Sequence, residues 1–110
     1  MKLHIVGVDV SKKTFDASKS EREVTSLSND ESGFEAFVAW LPADAHVVME
    51  ATGTYYLKLA TYLFEKGIAV SVVNPVKVSY FAKMRLQRVK TDRTDAGVIR
   101  RYGEYDTTSL

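Results

Sequence analysis

Leu3-His4-Ile5-Val6-Gly7-Val8-Asp9-Val10 is an almost unbroken apolar run that carries a carboxylate near its end. Ile and Val dominate it, and the residues on both alternating faces are apolar. The run therefore predicts a strand buried on both sides rather than one side of an exposed hairpin. An ionised Asp9 at the end of such a strand is costly unless something pairs with it.

Working outward, Lys12-Lys13 marks a turn, and Thr14 to Ser18 and Glu23 to Leu27 read as two short antiparallel strands. Asn29-Asp30-Glu31-Ser32 supplies helix N-cap candidates. Phe34, Phe37, Val38 and Leu41 then recur at the spacing of one buried helix face, and Pro42 closes the helix. His46-Val47-Val48-Met49 is a second buried strand and runs straight into Glu50. Ala51-Thr52-Gly53-Thr54 turns into a helix expected over Tyr55 to Lys66, with Leu57, Ala60, Leu63 and Phe64 inward and Gly67 as its stop. Ala69 to Val73 is a further Val-rich strand ending at Asn74-Pro75. Val76 to Met84 reads as a helix, Arg85 to Lys90 as a basic loop and Thr91 to Tyr105 as a final helix. The order βββαβαβ followed by helices predicts an α/β domain whose mixed sheet has helices packed against it.

Composition agrees with one folded domain over residues 1–110. The chain has 45% hydrophobic, 26% charged and 11% aromatic residues, enough apolar material to close a core. With no cysteine it holds neither a disulfide scaffold nor a thiolate zinc site, which fits a reducing compartment. No stretch approaches the roughly 20 apolar residues that span a bilayer, and the expected location is the cytoplasm, with no membrane partner.

The net charge of +1 conceals an asymmetry. Residues 1–75 hold 7 Lys+Arg against 10 Asp+Glu, whereas residues 76–101 hold 8 against 2. A basic block on a slightly acidic domain is the electrostatic footprint expected for a polyanion, and it equally describes a solvated Arg-rich helix face.

Asp9 and Glu50 both fall at the carboxyl ends of buried strands, where open α/β sheets place their sites. Asp92 and Asp95 are three residues apart and share a helix face that continues through Ile99 and Tyr102, with Val98 alongside. A simpler reading of the two strand acids is a helix cap or a Lys partner, and of the helical pair a dipole complement. Four carboxylates brought together are not a stability device, because each like-charged pair at about 4 Å repels by roughly 4 kcal/mol at an effective dielectric near 20. Divalent cations remove that repulsion. Mg²⁺ or Mn²⁺ takes oxygen ligands, and a pair of ions supports phosphodiester cleavage.

Four segments carry a resemblance. Gly7-Val8-Asp9-Val10-Ser11-Lys12, Met49-Glu50-Ala51-Thr52-Gly53-Thr54-Tyr55, Val73-Asn74-Pro75 with Phe81-Ala82-Lys83, and Lys90-Thr91-Asp92-Arg93-Thr94-Asp95-Ala96 resemble, in order and spacing, the amino-terminal domain of the DEDD insertion-sequence transposases. That family includes pilin-gene invertases and bridge-RNA-guided recombinases, and its domain is similar to the RuvC resolvase, a ribonuclease-H-like fold. The resemblance implies that Asp9, Glu50, Asp92 and Asp95 are the catalytic, Mg²⁺-binding acids of a DNA recombinase. It implies further that they work beside a nucleophilic serine from a carboxy-terminal domain absent from this chain, so that the chain alone is not expected to complete strand exchange. DNA, a guide RNA in some members, and further copies of the chain are the partners it implies.

Lys83, Arg85, Arg88, Lys90 and Arg93, with Lys12 beside the first Asp, are the candidate phosphate contacts. Tyr55 and Tyr56 fit either base stacking or core packing, and His4 and His46 read as structural. Ser11 is not a nucleophile candidate, since the sequence places no general base for it. Two other classes compete. Actin-like kinases share a strand-borne Asp, but they follow it with a Gly where this chain has Val10-Ser11-Lys12, and they need two such domains. A non-catalytic remnant that grips nucleic acid or dimerises with a transposase has the same basic block but no need of Mg²⁺.

Overall fold

The computed structural model describes residues 4–86 and 95–106, with 85 and 86 as backbone only. Five strands, β1 (His4–Val10), β2 (Thr14–Ser18), β3 (Val24–Ser28), β4 (Ala45–Glu50) and β5 (Ala69–Val73), form one sheet in the order β3-β2-β1-β4-β5. β1 pairs antiparallel with β2 and parallel with β4, β2 pairs antiparallel with β3, and β4 pairs parallel with β5. The first strand is therefore the centre of a mixed sheet. Ile5, Val6, Gly7 and Val8 are all buried, as the apolar run requires.

Alternation along the strands builds two cores. On one face Val6, Val8, Phe15, Ala17, Val47 and Met49 meet Phe34 and Phe37 of α1 (Glu31–Trp40) and Leu59 and Leu63 of α2 (Leu57–Glu65). Phe15 meets Phe37 edge-on with ring centroids 5.2 Å apart, a favourable quadrupole geometry. On the other face Ile5, Val48 and Val73 meet Val78 and Phe81 of α3 (Pro75–Phe81) and Ile99 and Tyr102 of α4 (Asp95–Tyr105). Helices thus cover both faces of a five-stranded mixed sheet, and the fold is ribonuclease-H-like.

Local signals set the helix ends. Asp30 caps α1 by accepting the Gly33 N–H at 3.0 Å and the Ser28 hydroxyl at 2.8 Å, and Leu41 is already extended ahead of Pro42. Asn74 caps α3 through Val76 N–H at 2.8 Å, with Pro75 in the first turn. α2 stops at a Schellman motif. Gly67 adopts φ +75°, its N–H reaches the Phe64 carbonyl, and the Ile68 N–H reaches the Leu63 carbonyl, each at 3.0 Å.

Two expectations change, and a third lies partly outside the described residues. The inner face of α2 is Leu59 and Leu63, both fully buried, while Leu57 and Phe64 are 49% and 78% exposed. Leu57-Lys58-Leu59-Ala60-Thr61-Tyr62-Leu63-Phe64 carries two overlapping apolar stripes, and contact with β5 and α1 selects between them. α3 ends at Phe81 and passes into a π-helical turn, Ala82–Leu86, so Arg85 belongs to that turn rather than to a loop. The last helix is seen from Asp95, and residues 87–94 lie outside the described residues.

Candidate acidic site at the sheet's carboxyl end

The last register pair of β1 and β4 is Val8 with Met49, so the next position on each strand carries a carboxylate, Asp9 and Glu50. Val8 and Met49 face α1 and α2. Strand alternation therefore turns Asp9 and Glu50 to the opposite face, where α4 packs. Both are half-buried.

α4 begins at Asp95, whose side chain is exposed and stands in the helix's first turn. From there Ile99 and Tyr102, 1% and 4% exposed, continue the stripe onto the sheet, as the spacing predicts. Small residues bring the helix close. A Cβ on Gly7 would collide with the Ala96 carbonyl and with the backbone of Arg100, and one on Gly103 would meet Ile5 Cγ2 at 2.8 Å. The absent side chain at Gly7, two residues before Asp9, thus lets the start of α4 approach the end of β1.

Electrostatics report the convergence. Burial raises the Asp9 carboxyl above its usual range, and the charges of Asp95 and then Asp16 raise it further. Burial likewise raises Glu50, opposed by a 3.1 Å hydrogen bond from the Thr52 hydroxyl to its Oε2 and reinforced by Asp9 and Asp95. Among the described residues no salt bridge reaches Asp9 or Glu50. Two desolvated carboxylates raised by their acidic neighbours, with no salt-bridging cation among the described residues, are an arrangement that stability alone does not favour.

Oxygen donors of this kind match the preference of Mg²⁺ and Mn²⁺, so the chemistry of the donor set fits a hard divalent ion. Among the described residues, however, no three Asp, Glu, His or Cys side chains form a ready-made metal-binding group. Asp92, the fourth sequence-derived acid, lies outside the described residues.

Sequence reading missed Asp16. It pairs with Asp9 across β1 and β2, and Phe15 and Ala17 on either side of it enter the opposite core, which places Asp16 on the acid face. The period-2 pattern of Thr14-Phe15-Asp16-Ala17-Ser18 was the available signal.

The basic candidates divide. Lys12 and Lys83 are exposed, the Arg85 side chain is not among the described ones, and Arg88, Lys90 and Arg93 lie outside the described residues. Arg100, counted in the basic block, is 5% exposed and serves the interior. Its Nε donates to Ser18 Oγ at 3.1 Å, and its Nη1 pairs with Glu104 at 3.0 Å. Ser11 Oγ donates to the Thr14 carbonyl at 2.8 Å and closes the hairpin. His4 Nε2 lies 2.9 Å from the Lys19 carbonyl and His46 Nε2 2.7 Å from Ser71 Oγ, both structural contacts. Tyr56 packs against the core, and Tyr55 is 47% exposed.

A ribonuclease-H-like sheet with acids level at the ends of two adjacent parallel strands, and a further acid in the first turn of the helix packed on that face, defines an acid-bearing ribonuclease-H-like domain. The chain belongs to the DEDD insertion-sequence transposase family, whose model, described as a transposase, matches residues 6–110. It is similar to the pilin gene-inverting protein of Moraxella bovis, 34% identical over 114 residues that cover 96% of this chain and 35% of that protein. The pilin gene-inverting protein of Moraxella lacunata is 33% identical over the same shares. The chain thus spans about a third of the length of the curated relatives it matches.

Proposed function

We propose that this chain is the acid-bearing domain of a DNA recombinase, in which Asp9, Glu50 and Asp95, with Asp92, hold divalent metal ions against the phosphodiester backbone. The observation that carries the reading is the level placement of Asp9 and Glu50 on the α4 face, both raised by burial and by Asp95, with no described cation to relieve them. Bound Mg²⁺ or Mn²⁺ would activate the attacking oxygen and stabilise the leaving one. The chain's own part is positional. β1 and β4 fix the two strand acids, Gly7 lets α4 approach, and Asp95 enters on that helix. Since the described acids do not by themselves form a closed metal group, Asp92 or a closer approach of the three completes the site.

Lys12 and Lys83, with Arg85, Arg88, Lys90 and Arg93, hold the polyanion by sequence-independent contact. The lack of cysteine suits the reducing cytoplasm. A guide RNA and self-association rest on the family resemblance and on no contact among the described residues.

Binding of metal and DNA to one site makes the two reciprocal. Duplex DNA affinity, measured by fluorescence anisotropy at fixed ionic strength, is therefore expected to rise on adding Mn²⁺. Asp9→Asn and Glu50→Gln are expected to abolish the rise while keeping the metal-free affinity. A Mn²⁺ effect of zero, or one that survives in both variants, contradicts the proposal and favours a metal-independent nucleic-acid binder.

A further inference from the structure

Asn29 lies between β3 and the N-cap of α1, and no acid chemistry involves it. Its hydrogen bonds nevertheless converge on the two loops that follow the strand acids. One Nδ2 hydrogen goes to the Ser11 carbonyl at 3.0 Å, two residues beyond Asp9. The amide also donates to the Tyr55 carbonyl at 3.2 Å, in the loop that leaves Glu50. Its backbone N–H donates to the Lys13 carbonyl at 2.8 Å, on the same hairpin as Ser11. Two main-chain carbonyls facing the amide fix which end carries nitrogen, because an oxygen there would meet two acceptors. The cost of that orientation is visible, since Asn29 Oδ1 is buried and has no partner among the described residues. An amide held by both donations while its acceptor goes unsatisfied is placed for the carbonyls it joins.

We infer that Asn29 is a positioning residue: its side-chain amide brackets the loop after Asp9 to the loop after Glu50 and so sets the spacing of the two carboxylates. The inference rests on the proposed acidic site for its functional meaning, and on the two hydrogen bonds alone for the bracket. Asn29→Asp would set a carboxylate against two carbonyls, and Asn29→Ala would leave both carbonyls without their donor while keeping the backbone bond to Lys13.

The test compares Asn29→Ala with Trp40→Ala, a destabilising control at the far end of α1, by two readouts on folded protein. The first is amide hydrogen exchange at Ser11 and Leu57, whose N–H groups bond to the Thr14 and Thr54 carbonyls within the two loops. Exchange is expected to quicken at both together in Asn29→Ala and at neither in the control. The second is Mn²⁺ affinity by calorimetry, expected to fall by roughly tenfold in Asn29→Ala, the low end for groups that orient metal ligands, and to hold in the control. Loosening of both loops in a chain whose wild type binds no Mn²⁺ leaves the bracket standing and removes the metal reading. Loosening of one loop or neither overturns the bracket, and unchanged Mn²⁺ affinity in Asn29→Ala overturns its positioning role. Should Asn29→Ala not fold, the wild-type side-chain amide decides. Two resolved, slowly exchanging Nδ2 protons support the bracket, and rapidly exchanging degenerate ones overturn it.

Discussion

Gly7→Ala is the perturbation that tests how α4 reaches the site. The added Cβ would fall well inside van der Waals contact of the Ala96 carbonyl oxygen and the Arg100 amide nitrogen, both backbone atoms with no rotamer to yield. Ordinary contact distances are about 3.5–4.0 Å, so α4 must retreat from β1 by roughly 1 Å or more. Overpacking of a tight interface costs about 1–3 kcal/mol, and a backbone-on-backbone clash belongs at the upper end. Against this stands the gain of about 0.5–1 kcal/mol that Ala brings to a strand interior. The net expectation is a loss of about 2 kcal/mol, or on the order of 10 °C in Tm for a domain of this size. Urea and thermal melts followed by circular dichroism measure it. The retreat also carries Asp95 away from Asp9 and Glu50, so Mn²⁺ affinity should fall more than the stability loss alone explains. A Gly7→Ala protein within about 0.5 kcal/mol of wild type, the range of ordinary surface changes, refutes the close approach.

Other expectations follow from the same geometry. Asp9 and Glu50 are raised above 3.8 and 4.5, so the folded chain holds their protons more tightly than the unfolded chain, and their ionisation lowers stability as pH rises through the raised values. Asp9→Asn and Glu50→Gln should therefore each stabilise the metal-free protein at pH 7, by about 0.5–1 kcal/mol after solvent screening, with the gain vanishing near pH 3. Urea midpoints across that range would show a wrong sign at once. Leu63→Ala should cost about 2–5 kcal/mol as a fully buried side chain, whereas Phe64→Ala should stay within about 0.5 kcal/mol. Equal losses would mean that α2 is rotated from its described phase. Lys12→Ala and Lys83→Ala should each lower the slope of log affinity for duplex DNA against log salt by about 0.9, and unchanged slopes would remove them from the DNA surface.

Much of this was legible in the sequence, for identifiable reasons. The βββαβαβ order followed from near-continuous apolar runs at β1 and β4, a weak alternation at β2 and β3 and helical spacing between them, and β5 came out at Ala69–Val73 because Gly67 and Pro75 punctuate it. Asp9 and Glu50 stood out because a carboxylate at the end of a buried strand contradicts its surroundings. The phase of α2 was not legible, since two apolar stripes overlap and only tertiary contact chooses between them. Asp16 was passed over because the local period-2 pattern shows only that it faces away from Phe15 and Ala17, while its place beside Asp9 is a relation of register. Gly7 and Asn29 were hidden for the same reason. One acts through a helix nearly ninety residues away in the chain, and the other through main-chain carbonyls that leave no trace in side-chain chemistry. The charge reading overcounted, because a buried Arg100 and an exposed Lys83 are equal in composition and opposite in use.

The most direct test of the central claim is calorimetric titration of Mn²⁺ and Mg²⁺ into the wild-type chain, Asp9→Asn and Asp92→Asn, each verified as folded. The account predicts binding by the wild type and loss of most of the heat in both variants, since acids 83 residues apart in the chain then share one site. Equal binding by all three proteins, or none by the wild type, would contradict it.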